Sequence, residues 1–159
     1  MSDSWDSFAE ILTEETRAMA RLHGAALALT RTLVAGRPGE IRETTDLVES
    51  RRREHIKHVV ARRAMQRRGF GKMTLREVGG YAPRTLRNFF DTRVSELTYF
   101  STSLRITNEN NKALVAAGMD RLLKIVDVLQ RAASEQTGTY RRRGLKPKKD
   151  ASVIVSHRA

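Results

Sequence analysis

Apolar residues open the chain with alternating steps of three and four. Trp5, Phe8, Leu12, Met19, Leu22, Ala26, Leu29 and Leu33 fall on one face of a helix. Glu15 alone interrupts that stripe. Asp3 or Ser4 can cap its start, and Gly36-Arg37-Pro38-Gly39 stops it, because glycine accepts a left-handed C-cap and proline lacks the donor to continue. The spacing predicts a helix over about 4–35.

A second segment, about 39–68, carries Ile41, Val48, Ile56, Val59 and Val60 among many charges, and its apolar stripe is thin. It ends at Gly69-Phe70-Gly71. Thr74-Leu75-Arg76-Glu77 then has the form of a capping box, but Gly79-Gly80 follows so closely that one turn is expected, a connector.

The third long segment is expected from Pro83 to about 136, stopping before Gly138. Its stripe reads Phe90, Val94, Leu97, Phe100 or Ser101, Leu104, Asn108, Asn111, Val115, Met119, Leu122, Val126, Leu129 and Ala133, with no charge on it. The mean step is near 3.6, which favours one straight or gently curved helix of roughly 80 Å. Asn108 and Asn111, like Glu15, read as a hydrogen-bonded polar layer that fixes helix register, with a polar contact to a partner as the alternative.

These elements predict an all-α chain: an elongated antiparallel three-helix bundle or coiled coil with a long C-terminal helix. Residues 1–144 form the helical domain, and 145–159 a disordered basic tail. The last helix is expected to outlast the hairpin formed by the first two by roughly 22 residues at the common rise per residue. Over that stretch Leu114, Val115, Met119, Leu122, Leu123, Ile125, Val126 and Leu129 spread across roughly half the helix surface, opposite Asp120, Arg121, Lys124, Asp127 and Arg131. An apolar face wider than one hairpin covers is a candidate for binding another protein.

Charge adds a second theme. The 159 residues carry a formal +12, with a sequence pI near 11.0. Residues 1–50 hold five basic and nine acidic side chains, a net of −4, so the remainder is +16. Arg51 to Lys72 holds nine basic residues against Glu54, and Arg141 to Lys149 six more. Such runs can follow a phosphate backbone. The cations surround the second helix, however, and aromatic interleaving is absent apart from Phe70, so non-specific binding at low salt is expected and specific nucleic-acid binding is the alternative function.

Catalytic and metal chemistry find little footing. With no cysteine, thiolate sites and disulfides are excluded. His55 and His58 stand one turn apart among cations with no third ligand nearby, and the glycines match no phosphate-cradling loop. No enzyme, cofactor or metal is expected. The acidic start Met-Ser-Asp-Ser-Trp-Asp is unlike a signal peptide, and no run reaches the roughly 20 apolar residues of a membrane span, so a cytoplasmic protein without membrane insertion is expected.

Tyr140 follows Thr137-Gly138-Thr139, where the helix is expected to have ended, and precedes Arg141-Arg142-Arg143. A ring beside three cations suits an anchor for an acidic docking site; a cap folded back on Leu129 or Ala133 is the other reading.

The whole order of elements resembles the FlgN family of flagellar type III export chaperones. The match runs from the amphipathic first helix through the break at Gly36 to Glu40, the arginine-rich second helix and the short connector to the long last helix. That helix holds Thr107-Asn108-Glu109-Asn110-Asn111-Lys112-Ala113-Leu114, similar to the family's Asn-rich stretch, with Thr139-Tyr140 and Gly144 similar to its closing element. The cover is roughly residues 5–144. The resemblance implies a chaperone that holds hook–filament junction subunits by its last helix and delivers them to the cytoplasmic domain of the export gate, where Tyr140 would act.

Overall fold

A computed structural model describes the backbone of residues 2–143 and the side chains of residues 4–134. It contains four helices, α1 (Ser2–Ala35), α2 (Pro38–Phe70), α3 (Leu75–Gly80) and α4 (Arg84–Arg143), and no strand among the described residues. The chain is all-α. The tail expected over 145–159 lies outside the described residues.

The stripe of α1 is its buried side: Phe8, Leu12, Met19, Leu22 and Ala26 are each buried. Gly36 ends the helix at a φ of 67°, its N–H donating to the Thr32 carbonyl at 3.0 Å, and Pro38 starts α2 in a position where its missing donor has no partner to lose. Gly71 closes α2 with a φ of 63°. The turn at α3 carries the expected reciprocal cap, in which the Glu77 N–H donates to Thr74 Oγ1 and the Glu77 carboxylate accepts from the Thr74 N–H.

α1 and α2 run antiparallel, as their cross-links show. Thr32 meets Thr44 at 2.9 Å, Arg21 meets Glu54 at 2.6 Å, and Arg62 meets Glu15. The two residue numbers in each pair total between 75 and 77, so the hairpin holds one register over most of its length. α4 lies along α1 in the parallel sense, through Phe8 against Phe90, His23 against Phe100 and Thr30 against Asn111. At one end Phe8, Leu12, Val78, Ala82 and Phe90 close a core, with Trp5 and Phe70 packed on it. Trp5 meets Phe90 edge to face at 5.5 Å between centroids, a favoured aromatic geometry.

One expected boundary needs correction. α4 does not stop before Gly138; it runs to Arg143, so Tyr140 stands on helical backbone. A lone glycine inside a helix is less favourable than alanine by about 1 kcal/mol but does not end it. At Gly36 and Gly71 the chain leaves the helix through a positive φ. The helix is also unbroken through Thr107 to Asn111, despite the weak helix formers there. The chain divides into two compact units, Met1–Ala117 and Gly118–Ala159, with α4 contributing residues to both.

Candidate functional site

In the second unit every described side chain is exposed. Met119, Leu122, Leu123, Ile125, Val126 and Leu129 are between 48% and 66% exposed, which for large apolar residues on one helix is high. At about 100° per residue they span roughly half the wheel. Lys124 pairs with Asp120 and Arg131 with Asp127, both at 2.7 Å, so the opposite side largely neutralises its own charge. Val128, exposed as well, points to that charged side by its position on the wheel. This is an apolar face with solvated, self-paired charges behind it.

The two remaining residues of the expected binding set belong to the first unit, where Leu114 is half-buried and Val115 is exposed and lines a groove of about 810 Å³. The aromatic ring of Tyr140 lies outside the described side chains.

The polar residues on the stripes separate by role. Asn111 is buried; its Nδ2 donates to the Ala26 carbonyl at 3.2 Å, and its Oδ1 accepts from Thr30 Oγ1 at 2.7 Å. It thereby ties α4 to α1 at one register. Asn108 differs from the expected layer: it is exposed on the groove, and Thr107 takes the buried place, donating to the Ser103 carbonyl at 2.9 Å. One residue of rotation decides this, since the helix advances by about 100° per step.

Glu15, 3% exposed, pairs with Arg62, whose side chain is 13% exposed. Arg62 also donates to Gln66 Oε1 at 2.7 Å. Arg62 belongs to the basic run expected to be able to follow a phosphate backbone, a pattern that gave no sign of this partner by itself. The signal was present, because a carboxylate on an apolar stripe requires a cation and the antiparallel register sets Glu15 opposite Arg62.

The rest of the basic run divides. Glu49 accepts from Arg52 and Arg53, and Glu54 from Arg51 and Arg21. The hydrogen bond from Arg52, aided by its charge and by Arg53, holds the Glu49 carboxyl down to about 2. Glu54 is also lowered, chiefly by its bond from Arg51. Arg63, Arg67, Arg68 and Lys72 have no carboxylate partner among the described residues. His55 is half-buried, and that burial pushes its imidazole below its ordinary value, with the charge of Glu15 opposing and those of His58 and Arg62 reinforcing.

Among the described residues no group of three side chains is placed to hold a metal ion, and no helix is long and apolar enough to cross a membrane. No family model, curated protein or solved structure matches this chain.

Proposed function

We propose that this chain is a non-enzymatic export chaperone of the FlgN class, which binds flagellar hook–filament junction subunits in the cytoplasm and delivers them to the export gate. The observation that carries the reading is the apolar face of α4 from Met119 to Leu129, exposed over about half the helix surface and backed by self-paired charges. Such a face is stabilised by burying it against another amphipathic segment. The order of elements adds support: a hairpin, an arginine-rich second helix, a one-turn connector and a long last helix. In this reading α1, α2 and the first part of α4 make an elongated three-helix bundle that anchors the binding helix. Leu114 and Val115 extend the substrate contact, and Tyr140 with the arginines after it meets the gate.

The test is binding of purified hook–filament junction subunits to the full chain in about 0.3 M salt, where contacts to phosphate are strongly weakened and apolar burial is not screened. A complex that persists through size-exclusion chromatography is expected. Binding that disappears at this salt, or affinity for DNA that survives it, counts against the chaperone. Delivery is tested separately with Tyr140→Ala. Substrate affinity should stay unchanged while affinity for the cytoplasmic domain of the gate falls at least about tenfold, roughly 1.4 kcal/mol. Equal losses for both ligands would assign Tyr140 a structural role.

A further inference from the structure

We infer that the first unit carries a docking trough for an acidic amphipathic helix of a partner protein, a site distinct from the apolar face beyond residue 117 and sharing Val115 alone with the substrate contact proposed above. Its origin is the way the helices pack. Close backbone packing joins α1 to α2, while α4 touches α1 through side chains, so α2 and α4 stand apart above α1.

The space between them holds three clefts that adjoin through shared lining residues. A groove of about 810 Å³ and a second of about 610 Å³ share Met19 and Ser101. A cleft of about 600 Å³ shares Arg62, Arg63 and Leu75 with the second. Along α4 the first two run from Val94 to Ala116, roughly 33 Å at 1.5 Å per residue, the length of a helix of about 20 residues. Ile56 and Val59 form one wall of the middle section, and Val94 and Leu97 the other.

Charge selects the occupant. Of the acids that line the trough, Glu15 is matched by Arg62 and Glu109 by Lys112 at 2.9 Å. Arg63, Arg67 and Lys72 at one end and Arg105 at the other have no carboxylate among the described residues. The complement is therefore a ligand with an apolar stripe and carboxylates along its edges. A nucleic-acid backbone would satisfy the cations but leave the apolar walls in water, and no Phe, Tyr or Trp lines the trough for a base to stack on.

The experiment uses the full chain and two labelled synthetic helices of about 20 residues, each with one leucine stripe, one carrying Glu and the other Lys on its polar face. Fluorescence anisotropy should show the Glu helix binding at least about tenfold more tightly, a difference of roughly 1.4 kcal/mol. Arg63→Glu with Lys72→Glu, both exposed positions, should invert that preference. Ser101→Trp, an exposed site common to both grooves, should block both peptides by bulk, with unchanged helicity by circular dichroism. Every arm carries Leu122→Asp with Leu129→Asp, which removes the apolar face of the second unit as a competing site for an amphipathic peptide. Equal binding of the two peptides, no binding of either, or binding indifferent to Ser101→Trp overturns the trough. Binding of a short DNA duplex that the charge reversal abolishes and Ser101→Trp spares would assign the cations to phosphates instead.

Discussion

Glu15 occupies a position that the stripe of α1 reserves for an apolar side chain, and its burial leaves Arg62 as its partner across the hairpin. Removing one member of such a pair strands a buried charge, whereas replacing both by apolar residues does not. Arg62→Met should therefore lower unfolding free energy by about 3–5 kcal/mol, and Glu15→Leu with Arg62→Met should recover most of that loss in urea titrations. A double variant no more stable than Arg62→Met would show that the pair does not act as one unit. His55 sits beside this pair, and because folding lowers its pKa from 6.5, its contribution to stability is present above that value and lost as pH falls below it. Glu49, held to about 2 against an ordinary 4.5, and Glu54 and Glu77, also lowered, contribute stability that is lost at lower pH still. The urea midpoint should therefore fall in two stages on acidification. His55→Gln should remove the upper stage and keep the lower; an unaltered upper stage would place that titration elsewhere.

At the scale of the element, glycine conformation decides where α1 and α2 end. Gly36 and Gly71 take positive φ and stop α1 and α2, while Gly138, with no proline close after it, lies within α4. Composition names the residue that can break a helix, and the backbone around it decides whether it does. Gly118 is a further interior glycine with open space where a Cβ would stand, so Gly118→Ala should stabilise the helix by about 0.5–1 kcal/mol without altering binding. Lost binding would mean that a partner approaches the backbone there. The stripes of α1 and α4 were legible because apolar residues at helical spacing leave one face to bury. What covers each stripe was not. Val94 and Leu97 continue the same run as buried Phe90, yet they border the trough half-buried, and Ile56 on α2 is exposed. A period reports which way side chains point, and the separation of α2 from α4 depends on contacts far apart in sequence. The exchange of Thr107 for Asn108 in the buried layer has the same cause, since a single step rotates the helix by about 100°.

At the scale of the whole molecule, the described surface offers an aliphatic face in the second unit and a trough with cationic ends in the first, and the two differ in how they respond to charge. Apolar burial contributes on the order of 25 cal/mol per Å² and is not screened by salt, whereas pairing with exposed cations weakens as ionic strength rises. The central claim is that the face from Met119 to Leu129 binds a partner and is not a core surface of this chain. It is tested most directly by Leu122→Asp with Leu129→Asp, measured in parallel for affinity to a hook–filament junction subunit and for the midpoint of urea unfolding. Both residues are 59% or more exposed, so the unfolding midpoint should stay within error of the parent while binding is lost. Unfolding of the double variant, or undiminished binding of the subunit, would contradict the claim.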